Sequence, residues 1–285
     1  MSNIGLVLSG GMAKGAYQTG ALQAVNEVLK PTDFSVVSAA SVGALNAYAY
    51  LTGGLDKGVE IWKDQHSGIN NRKYIMSLIK NGYMNEAVKR IMSETRIPGT
   101  FYIPLLNIKK RALSYVNLGK IQPAKIESYL SASVALPFLN PGVQINKGHF
   151  YDGALIDNIP IHPILKHQID YIICIYFDSY DYIFESKYFD NKVIKINFTD
   201  DTVISNSLSL DSGSIKHMLN EGYTKTKRVL DFCFADGINA TRTIYSKIEE
   251  LNAKNNEKSL RITGDIVVNN MNKVVRKFMK RITVH

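Results

Sequence analysis

The chain has 285 residues, of which 45% are hydrophobic and 21% are charged, and this balance is typical of a globular protein rather than a disordered or collagen-like one. Its two cysteines, Cys174 and Cys233, are too few for a disulfide framework. The 34 Lys and Arg residues outnumber the 25 Asp and Glu residues, so the net charge is +9 and an anionic partner, a membrane surface or a nucleic acid, is favoured.

Strands and helices alternate over the first 54 residues. Residues 4–8 form an apolar run that predicts a strand ending in a glycine cluster, and residues 16–29 have helical composition. Residues 34–39 predict a second buried strand, and residues 42–51 a helix that ends before two glycines. This order predicts an α/β fold, a three-layer sandwich in which helices flank a mostly parallel central sheet.

The remaining elements are predicted to complete one domain of residues 1–285. Residues 56–120 are expected to be mostly helical, with residues 55–120 forming a helical cap. Further helices are predicted at 122–132, 214–232, 240–252 and 266–282, and further strands at 149–151, 170–177 and 193–198. Residues 265–285 predict a basic amphipathic C-terminal helix.

No targeting segment is visible in the sequence. The N terminus lacks a basic region, and its glycines come too early for a signal peptide. Residues 34–55 carry no charge over about the length of a membrane span, but their serines, Gly43 and Asn46 favour a buried strand, a turn and a helix. We therefore expect a cytoplasmic protein without a transmembrane helix, in peripheral contact with the membrane at most.

A glycine-rich loop joins the first strand to the first helix. Gly10, Gly11 and Gly15 allow close backbone approach to a ligand, and the start of a helix presents unpaired N–H groups. Such a site suits a phosphate or a developing oxyanion. A phosphate-binding P-loop requires Lys and Ser or Thr after the last glycine, whereas Ala16 and Tyr17 follow here. A tight turn without a ligand is the alternative interpretation.

A serine lies where the second predicted strand turns into a helix. The segment from Ala39 to Gly43 reads Ala-Ala-Ser-Val-Gly, close to the G-x-S-x-G nucleophile elbow, in which a sharp turn lifts the serine hydroxyl out of the sheet. Ala39 replaces the first glycine. A buried serine that caps a helix is the alternative for Ser41.

An aspartate turn, Asp152-Gly153-Ala154, follows an extended segment, and with it the chain resembles the patatin-like phospholipases. That family combines a loop G-G-x-x-[RK]-G, an elbow G-x-S-x-G and a turn D-G-[GA] in this order. The flanking residues also agree, and the resemblance is good over residues 4–54 and 131–163. Two departures are Ala39, for the first elbow glycine, and Met12, where the family often has a third glycine.

The resemblance implies a serine acyl hydrolase of the lipase or phospholipase A type with a Ser–Asp dyad. Ser41 would attack an ester-linked fatty acid of a phospholipid or related lipid and form an acyl-enzyme, with Asp152 as its base. A carboxylate is a weak base for a serine, so Asp152 is expected to be shielded from water. The N–H groups around Gly10, Gly11 and Met12 would form the oxyanion hole. The supporting residues would be Lys14, Gly15, Gly43 and Gly153, and no cofactor is implied.

Other readings remain open at this stage. A Ser-His-Asp esterase would use one of the histidines His66, His149, His162, His167, His217 and His285, none of which has a loop signature. A non-catalytic lipid- or partner-binding protein on the same fold would also tolerate Ala39. Asp157 is expected to be an ordinary turn residue, and residues 101–106 line an acyl channel or belong to the core. No metal-binding spacing and no specific nucleic-acid signature is present, so neither is predicted.

The C-terminal segment predicts a contact with anionic membrane. At about 100° per residue its apolar side chains fall on one arc and its cations on the other. The cations are Lys273, Arg276, Lys277, Lys280 and Arg281. The alternative is a final helix that packs on the domain and leaves a solvated basic face.

Overall fold

The computed structural model describes residues 2–64, 83–137, 139–178, 181–198, 212–254, 259–264 and 266–267. Its strands are β1 (Ile4–Leu8), β2 (Phe34–Ala39), β3 (Thr100–Asn107), β4 (Ala112–Asn117), β5 (Val143–Ile145), β6 (Gly148–Asp152), β7 (Tyr171–Tyr176), β8 (Asp181–Phe184), β9 (Val193–Asn197) and β10 (Ser259–Ile262). The described α-helices are α1 (Gly15–Val28), α2 (Val42–Leu51), α3 (Leu55–Lys63), α4 (Tyr83–Ile91), α5 (Pro123–Ser133), α6 (Lys187–Asp190), α7 (Ser212–Cys233) and α8 (Thr241–Lys254).

An eight-stranded sheet forms the centre of the fold. Its order is β5-β6-β3-β2-β1-β7-β9, with β4 paired to the other side of β3. The neighbours β3, β2, β1, β7 and β9 all run parallel, whereas β4 and β6 run antiparallel to β3. This confirms the predicted mostly parallel α/β sheet. The strands β8 and β10 form a separate parallel pair.

The two faces of the sheet are covered differently. Leu6 and Leu8 of β1 face a large core that they share with α1, α2, α5 and α7. Val7 faces a smaller core on the other side, built from residues 159–164 and the β8–β10 pair. Among the described residues, the second face of the sheet is therefore covered mainly by the 3₁₀ helix His162–Lys166 and the β8–β10 pair, and not by long helices.

Helices α1 and α7 cross with their backbones in contact. A Cβ atom added at Gly20 would lie 1.9 Å from the carbonyl oxygen of Leu219, and one added at Gly222 would lie 2.0 Å from that of Tyr17. Only glycine fits at either position without moving a helix. The crossing holds α1, which begins at the glycine loop, against the domain.

One stretch differs from the sequence-based expectation. Residues 56–120 were expected to be mostly helical, and this is wrong from residue 100 onward, because β3 and β4 lie there. Residues 101–106, for which an acyl channel and the core were the two alternatives, belong to β3, and the side chains of Phe101, Ile103 and Leu105 are fully buried in the core. Their apolar character reflects a central strand with both faces covered.

Two other expectations fall partly or wholly outside the described residues. Residues 65–82, within the expected cap, and residues 268–285, which carry the five C-terminal cations, are not described. Within the part of the chain that is described, none of the helices has the length and apolarity needed to cross a bilayer.

Candidate active site

Two strands share one side of β3, and this arrangement brings the serine turn and the aspartate turn together. Ser38 of β2 pairs with Tyr102 of β3, and Asp152, the last residue of β6, pairs with Leu105 of β3. Because β4 pairs with one side of β3 along this whole stretch, β2 and β6 must both lie on its other side. Ser38 and Asp152 are thus three positions of β3 apart, roughly 10 Å. The turn that carries Ser41 lines one pocket with Asp152.

The serine turn has the geometry of a nucleophile elbow. Ser41 has φ 53° and ψ −131°, a strained conformation between the end of β2 and the first residue of α2. A Cβ atom added at Gly43 would lie 2.5 Å from the carbonyl oxygen of Ser9, so the elbow packs directly against the end of β1. This explains why a glycine stands two residues after the serine.

The aspartate is held rigidly and lies out of contact with solvent. The Asp152 N–H donates to the carbonyl of Ala135 at 2.9 Å, and its Oδ1 accepts from the Ala154 N–H at 2.8 Å. A Cβ atom added at Gly153 would lie 2.5 Å from the backbone of Pro104, so only glycine fits in this turn. Residues 134–137 and 152–154, which carry the family resemblance, therefore contact each other directly.

Burial raises the pKa of Asp152 to about 7, and the hydrogen bonds from Ser41 and Ala154 only partly oppose this shift. The Asp152 side chain is 0% exposed. Its second oxygen, Oδ2, forms no hydrogen bond with another described residue within the usual distance and angle limits, although the Ser41 hydroxyl in the same pocket favours the charged carboxylate. Catalytic hydrogen bonds without substrate are often long or poorly aligned. The expected shielding of Asp152 is present.

The glycine loop leaves two N–H groups available. The Gly10 N–H donates to the carbonyl of Asn158 at 3.0 Å, and the Asn158 Nδ2 donates back to the Gly10 carbonyl at 3.4 Å, so the Gly10 N–H is committed within the protein. The N–H groups of Gly11 and Met12 have no acceptor among the described residues. They are the remaining candidates for binding an oxyanion.

The loop is strained at Met12 and walled by an aromatic ring. Met12 has φ 51°, in the left-handed region that favours glycine, which accounts physically for the family's usual third glycine. A Cβ atom added at Gly11 would lie 2.6 Å from the ring of Phe177. The Lys14 ammonium lies 5.9 Å from the centre of the same ring. Burial lowers the pKa of Lys14, and the nearby Asp178 carboxylate opposes this effect.

A buried network of amides supports the loop from behind. The Gln18 Nε2 donates to the Ser9 carbonyl at 2.7 Å, and the Asn46 Nδ2 donates to the Gly15 carbonyl at 2.9 Å. Asn46 also donates to the Gln18 Oε1 at 3.2 Å, which links α1 to α2. Sequence reasoning assigned no role to Gln18, Asn46 or Asn158. For Gln18 and Asn46 the available signal was a buried polar side chain in a helix with many apolar residues, whereas Asn158 lies outside the helices.

A second buried carboxyl group lies five residues beyond Asp152. Burial raises the pKa of Asp157 to about 7, and hydrogen bonds from the Tyr115 hydroxyl and the Ile159 N–H oppose the shift. Asp157, expected to be an ordinary turn residue, is therefore a buried group paired with β4. It does not line the pocket that contains Ser41.

The candidate catalytic residues surround an open pocket of about 380 Å³. Its described lining residues are Gly10, Gly11, Met12, Lys14, Ser41, Leu136, Asp152, Ala154, Leu155, Asn158 and Phe177. The four described histidines, His149, His162, His167 and His217, are not among them. His162 lies near Tyr115 and Glu185, and His167 near Tyr102. This arrangement favours the dyad over a Ser-His-Asp triad built on any of these four. Among the described residues no group of three metal-ligating side chains occurs.

Comparison with known proteins adds one strong match. Residues 6–165, more than half of the chain, match the model of a family described as patatin-like phospholipase. No curated protein matches the chain. Among solved structures, VipD from Legionella pneumophila is similar at 15% identity and a TM-score of 0.48, over 81% of this chain and 67% of VipD. The type III effector protein ExoU is similar at 15% identity and a TM-score of 0.40, over 81% of this chain and 53% of ExoU. With both TM-scores below 0.5, the family assignment depends on the match to residues 6–165.

Proposed function

The chain belongs to the patatin-like phospholipase family and is therefore a lipid acyl hydrolase, and from this premise we propose that it cleaves ester-linked fatty acids with a Ser41–Asp152 dyad. The observation that carries the proposal is a buried carboxyl group with a raised pKa and an unpartnered oxygen, beside a strained serine in an open pocket. Perturbed pKa values in a cleft are typical of catalytic groups.

In the acylation step the Ser41 hydroxyl gives its proton to Asp152 as its oxygen attacks the ester carbonyl carbon. The carbonyl oxygen becomes an oxyanion, which the N–H groups of Gly11 and Met12 bind. The tetrahedral intermediate then expels the alcohol, for a phospholipid the lysophospholipid, which takes the proton from Asp152. The acyl group remains on Ser41 as an ester.

Deacylation repeats the sequence with water as the nucleophile. Water gives a proton to Asp152 and attacks the acyl-Ser41 carbonyl, and Ser41 leaves with that proton as the fatty acid departs. The raised pKa of Asp152 suits both half-reactions, because a general base works best when its pKa is near the working pH. A carboxyl group at its ordinary pKa would bind the serine proton far more weakly.

The direct test is fatty-acid release by the pure protein. Phospholipid vesicles are incubated with the wild type and with Ser41→Ala, and the free fatty acids and lysolipids are measured by mass spectrometry. We expect release by the wild type alone. No release by a folded wild type across phospholipid, lysophospholipid and glyceride substrates would favour a non-catalytic lipid-binding protein.

The C-terminal cations remain a proposed peripheral membrane contact. The five cations between Lys273 and Arg281 have no acid among them, and such a segment attracts anionic lipid. Truncation after Asn270 should lower binding to anionic vesicles, most strongly at low salt, while hydrolysis of a short soluble ester survives. Unchanged vesicle binding, or unfolding of the truncated chain, would contradict this role.

A further inference from the structure

A basic stretch with almost no acid lies between residues 95 and 151. Its single acidic residue is Glu127, whereas it contains seven cations, so it carries a net +6 of the chain's +9. The cations are Arg96, Lys109, Lys110, Arg111, Lys120, Lys125 and Lys147. The charge of the protein is therefore concentrated in the segment that builds β3, β4, β5 and β6.

Four of these cations lie on two hairpin tips that adjoin each other. The four are Lys109, Lys110, Arg111 and Lys147, and all are exposed. The first tip joins β3 to β4 and the second joins β5 to β6. Because β3 pairs with β6, the tips meet, and a Cβ atom added at Gly148 would lie 3.1 Å from the Asn107 side-chain nitrogen.

Both tips are fixed by tight turns. The Asn107 Oδ1 accepts from the Lys110 N–H at 2.9 Å, and Arg111 has φ 53°. In the second tip Asn146 also has φ 53° and accepts from Gln144 through its carbonyl at 2.7 Å. The cations therefore project from a defined edge.

This edge is the one that carries the candidate active site. β3 runs parallel to β1 and β2, and the glycine loop, the elbow and the first tip each follow the carboxyl end of one of these strands. Leu105 lies beside Asp152, and the first tip begins three residues further along, roughly 10 Å away. The tips thus extend beyond Asp152 at the edge of the sheet where the parallel strands have their carboxyl ends.

Apolar side chains are exposed at the Ser41 pocket, on the same edge of the sheet as the tips. Met12 is 41% exposed and Leu155 is 43% exposed, and both line the Ser41 pocket. Exposed apolar residues next to a cluster of cations are the two features that bind a protein to an anionic lipid interface. A nucleic acid would satisfy the cations and leave the apolar pair in water.

We propose that this edge, which we call the basic rim and define as Lys109, Lys110, Arg111, Lys147, Met12 and Leu155, docks on an anionic phospholipid bilayer. The lysines and arginine contact the headgroup phosphates, and Met12 and Leu155 enter the interface at the mouth of the pocket. Docking presents Ser41 to the ester bonds of the bilayer and so rests on the proposed function. It involves described residues alone and is separate from the C-terminal contact.

The test measures vesicle binding by Ser41→Ala protein, so its result does not depend on turnover. One variant adds Lys109→Gln, Lys110→Gln and Lys147→Gln. A matched control adds Lys57→Gln, Lys120→Gln and Lys125→Gln, which change the net charge equally. The control positions are exposed and follow elements that end at the opposite edge of the sheet.

We expect the first triple variant to lose about 100-fold in partitioning onto phosphatidylcholine vesicles containing phosphatidylglycerol, from roughly 1 kcal/mol per cation at the surface. The control variant should lose far less. Equal losses in both would mean that net charge alone drives binding, and no loss in the first would contradict the basic rim. A first triple variant that loses binding to a DNA duplex but keeps binding to the vesicles would assign the tips to nucleic acid instead.

A separate variant tests the contribution of the exposed apolar side chains to vesicle binding. Leu155→Ser, again in the Ser41→Ala protein, should weaken binding to vesicles with and without phosphatidylglycerol by about fivefold, since roughly half of a leucine side chain would lose its contact with the interface. The lysine variants should affect the anionic vesicles alone. Unchanged binding of Leu155→Ser to both vesicles would overturn insertion of the rim.

Discussion

Two buried aspartates, Asp152 and Asp157, lie five residues apart and have the same raised pKa of about 7, yet their surroundings differ. Asp157 is closed off by Tyr115 and the Ile159 N–H and lies outside the Ser41 pocket. Asp152 keeps one oxygen unpartnered among the described residues and lines the pocket beside Ser41.

The comparison shows that a raised pKa does not identify a base. Burial is the largest cause of both raised pKa values, because removal from water penalises the charged carboxylate, and the Glu185 carboxylate adds to the shift at Asp157. What separates the two groups is that Asp152 keeps an oxygen free to take a proton and lines the pocket with Ser41, whereas the hydroxyl bonded to Asp157 belongs to Tyr115, outside that pocket. Asp152 lies beside the elbow that follows β2, whereas the partner of Asp157, Tyr115, lies in the middle of β4.

The largest expected effect separates the two aspartates directly. Asp152→Asn should lower kcat/KM by about 10²- to 10⁴-fold, the usual contribution of a general base. Asp157→Asn should stay within about tenfold, because its carboxyl group does not contact the pocket. Steady-state hydrolysis of a soluble ester measures both, with circular dichroism as the check on folding. Equal losses of kcat/KM in the two variants would contradict the assignment of Asp152, and not Asp157, as the catalytic base.

The oxyanion donors test the pocket side of the comparison. Gly11→Pro removes one N–H and meets the Phe177 ring, so acylation should slow by about 10²- to 10³-fold, the usual cost of one lost donor. The rate of the acylation burst measures this in rapid-mixing experiments. A normal burst in folded Gly11→Pro protein would show that the oxyanion binds elsewhere.

The pH dependence sharpens the comparison further. A base with a pKa of about 7 is protonated in acid, so kcat/KM should rise about tenfold per pH unit up to pH 7 and then level off. Tyr115→Phe alters the surroundings of Asp157 and should leave this profile unshifted. The measurement is kcat/KM of both proteins from pH 5 to 9 with a soluble ester. A profile that is flat across pH 7 would contradict Asp152 as the base.

The same pKa predicts an effect on stability. Between about pH 4 and pH 7 folded Asp152 holds a proton that the unfolded chain releases, so wild-type stability falls as pH rises through that window. Asp152→Asn removes this loss and should raise the free energy of unfolding at pH 8 by up to about 4 kcal/mol. Asp157→Asn should gain less, because it disturbs the bonds to Tyr115 and Ile159. Urea unfolding at pH 5 and pH 8 compares them, and a gain that is larger at pH 5 would be contrary to this account.

The smallest expected effect concerns the elbow itself. Ala39→Gly restores the family's usual glycine at a fully buried position, and the single methyl removed is worth about 0.8 kcal/mol. Turnover should stay within about tenfold of the wild type. A larger loss in the same ester assay would show that packing of the Ala39 methyl is needed to hold the elbow in its active geometry.

The three motifs of the candidate site could be recognised in the sequence, but most of the strand pairings and hydrogen bonds that bring them together could not. The loop at Gly10, the elbow at Ser41 and the turn at Asp152 could be predicted, because each is a local pattern that requires particular residues at fixed spacing. The hairpin strands β3 and β4 were missed, since the apolar run at 101–106 gives no periodicity to separate a buried strand from a lining segment.

The supporting hydrogen bonds could not be predicted at all. Tyr115 and Asp157 are 42 residues apart, and Asn158 and Gly10 are 148 apart, so neither pairing leaves a local signal. The basic tips likewise read as ordinary loop charges until β3 and β6 place them on the catalytic edge. Such features depend on strand register, which a single sequence does not reveal.

The most direct measurement of the central claim is covalent labelling by a fluorophosphonate, read out by peptide mass spectrometry. The wild type and Asp157→Asn should be labelled on Ser41 at similar rates, and Asp152→Asn should be labelled at least about 100-fold more slowly, because its serine has lost its base. Labelling of Asp152→Asn at the wild-type rate, or labelling of the wild type at a residue other than Ser41, would contradict the dyad.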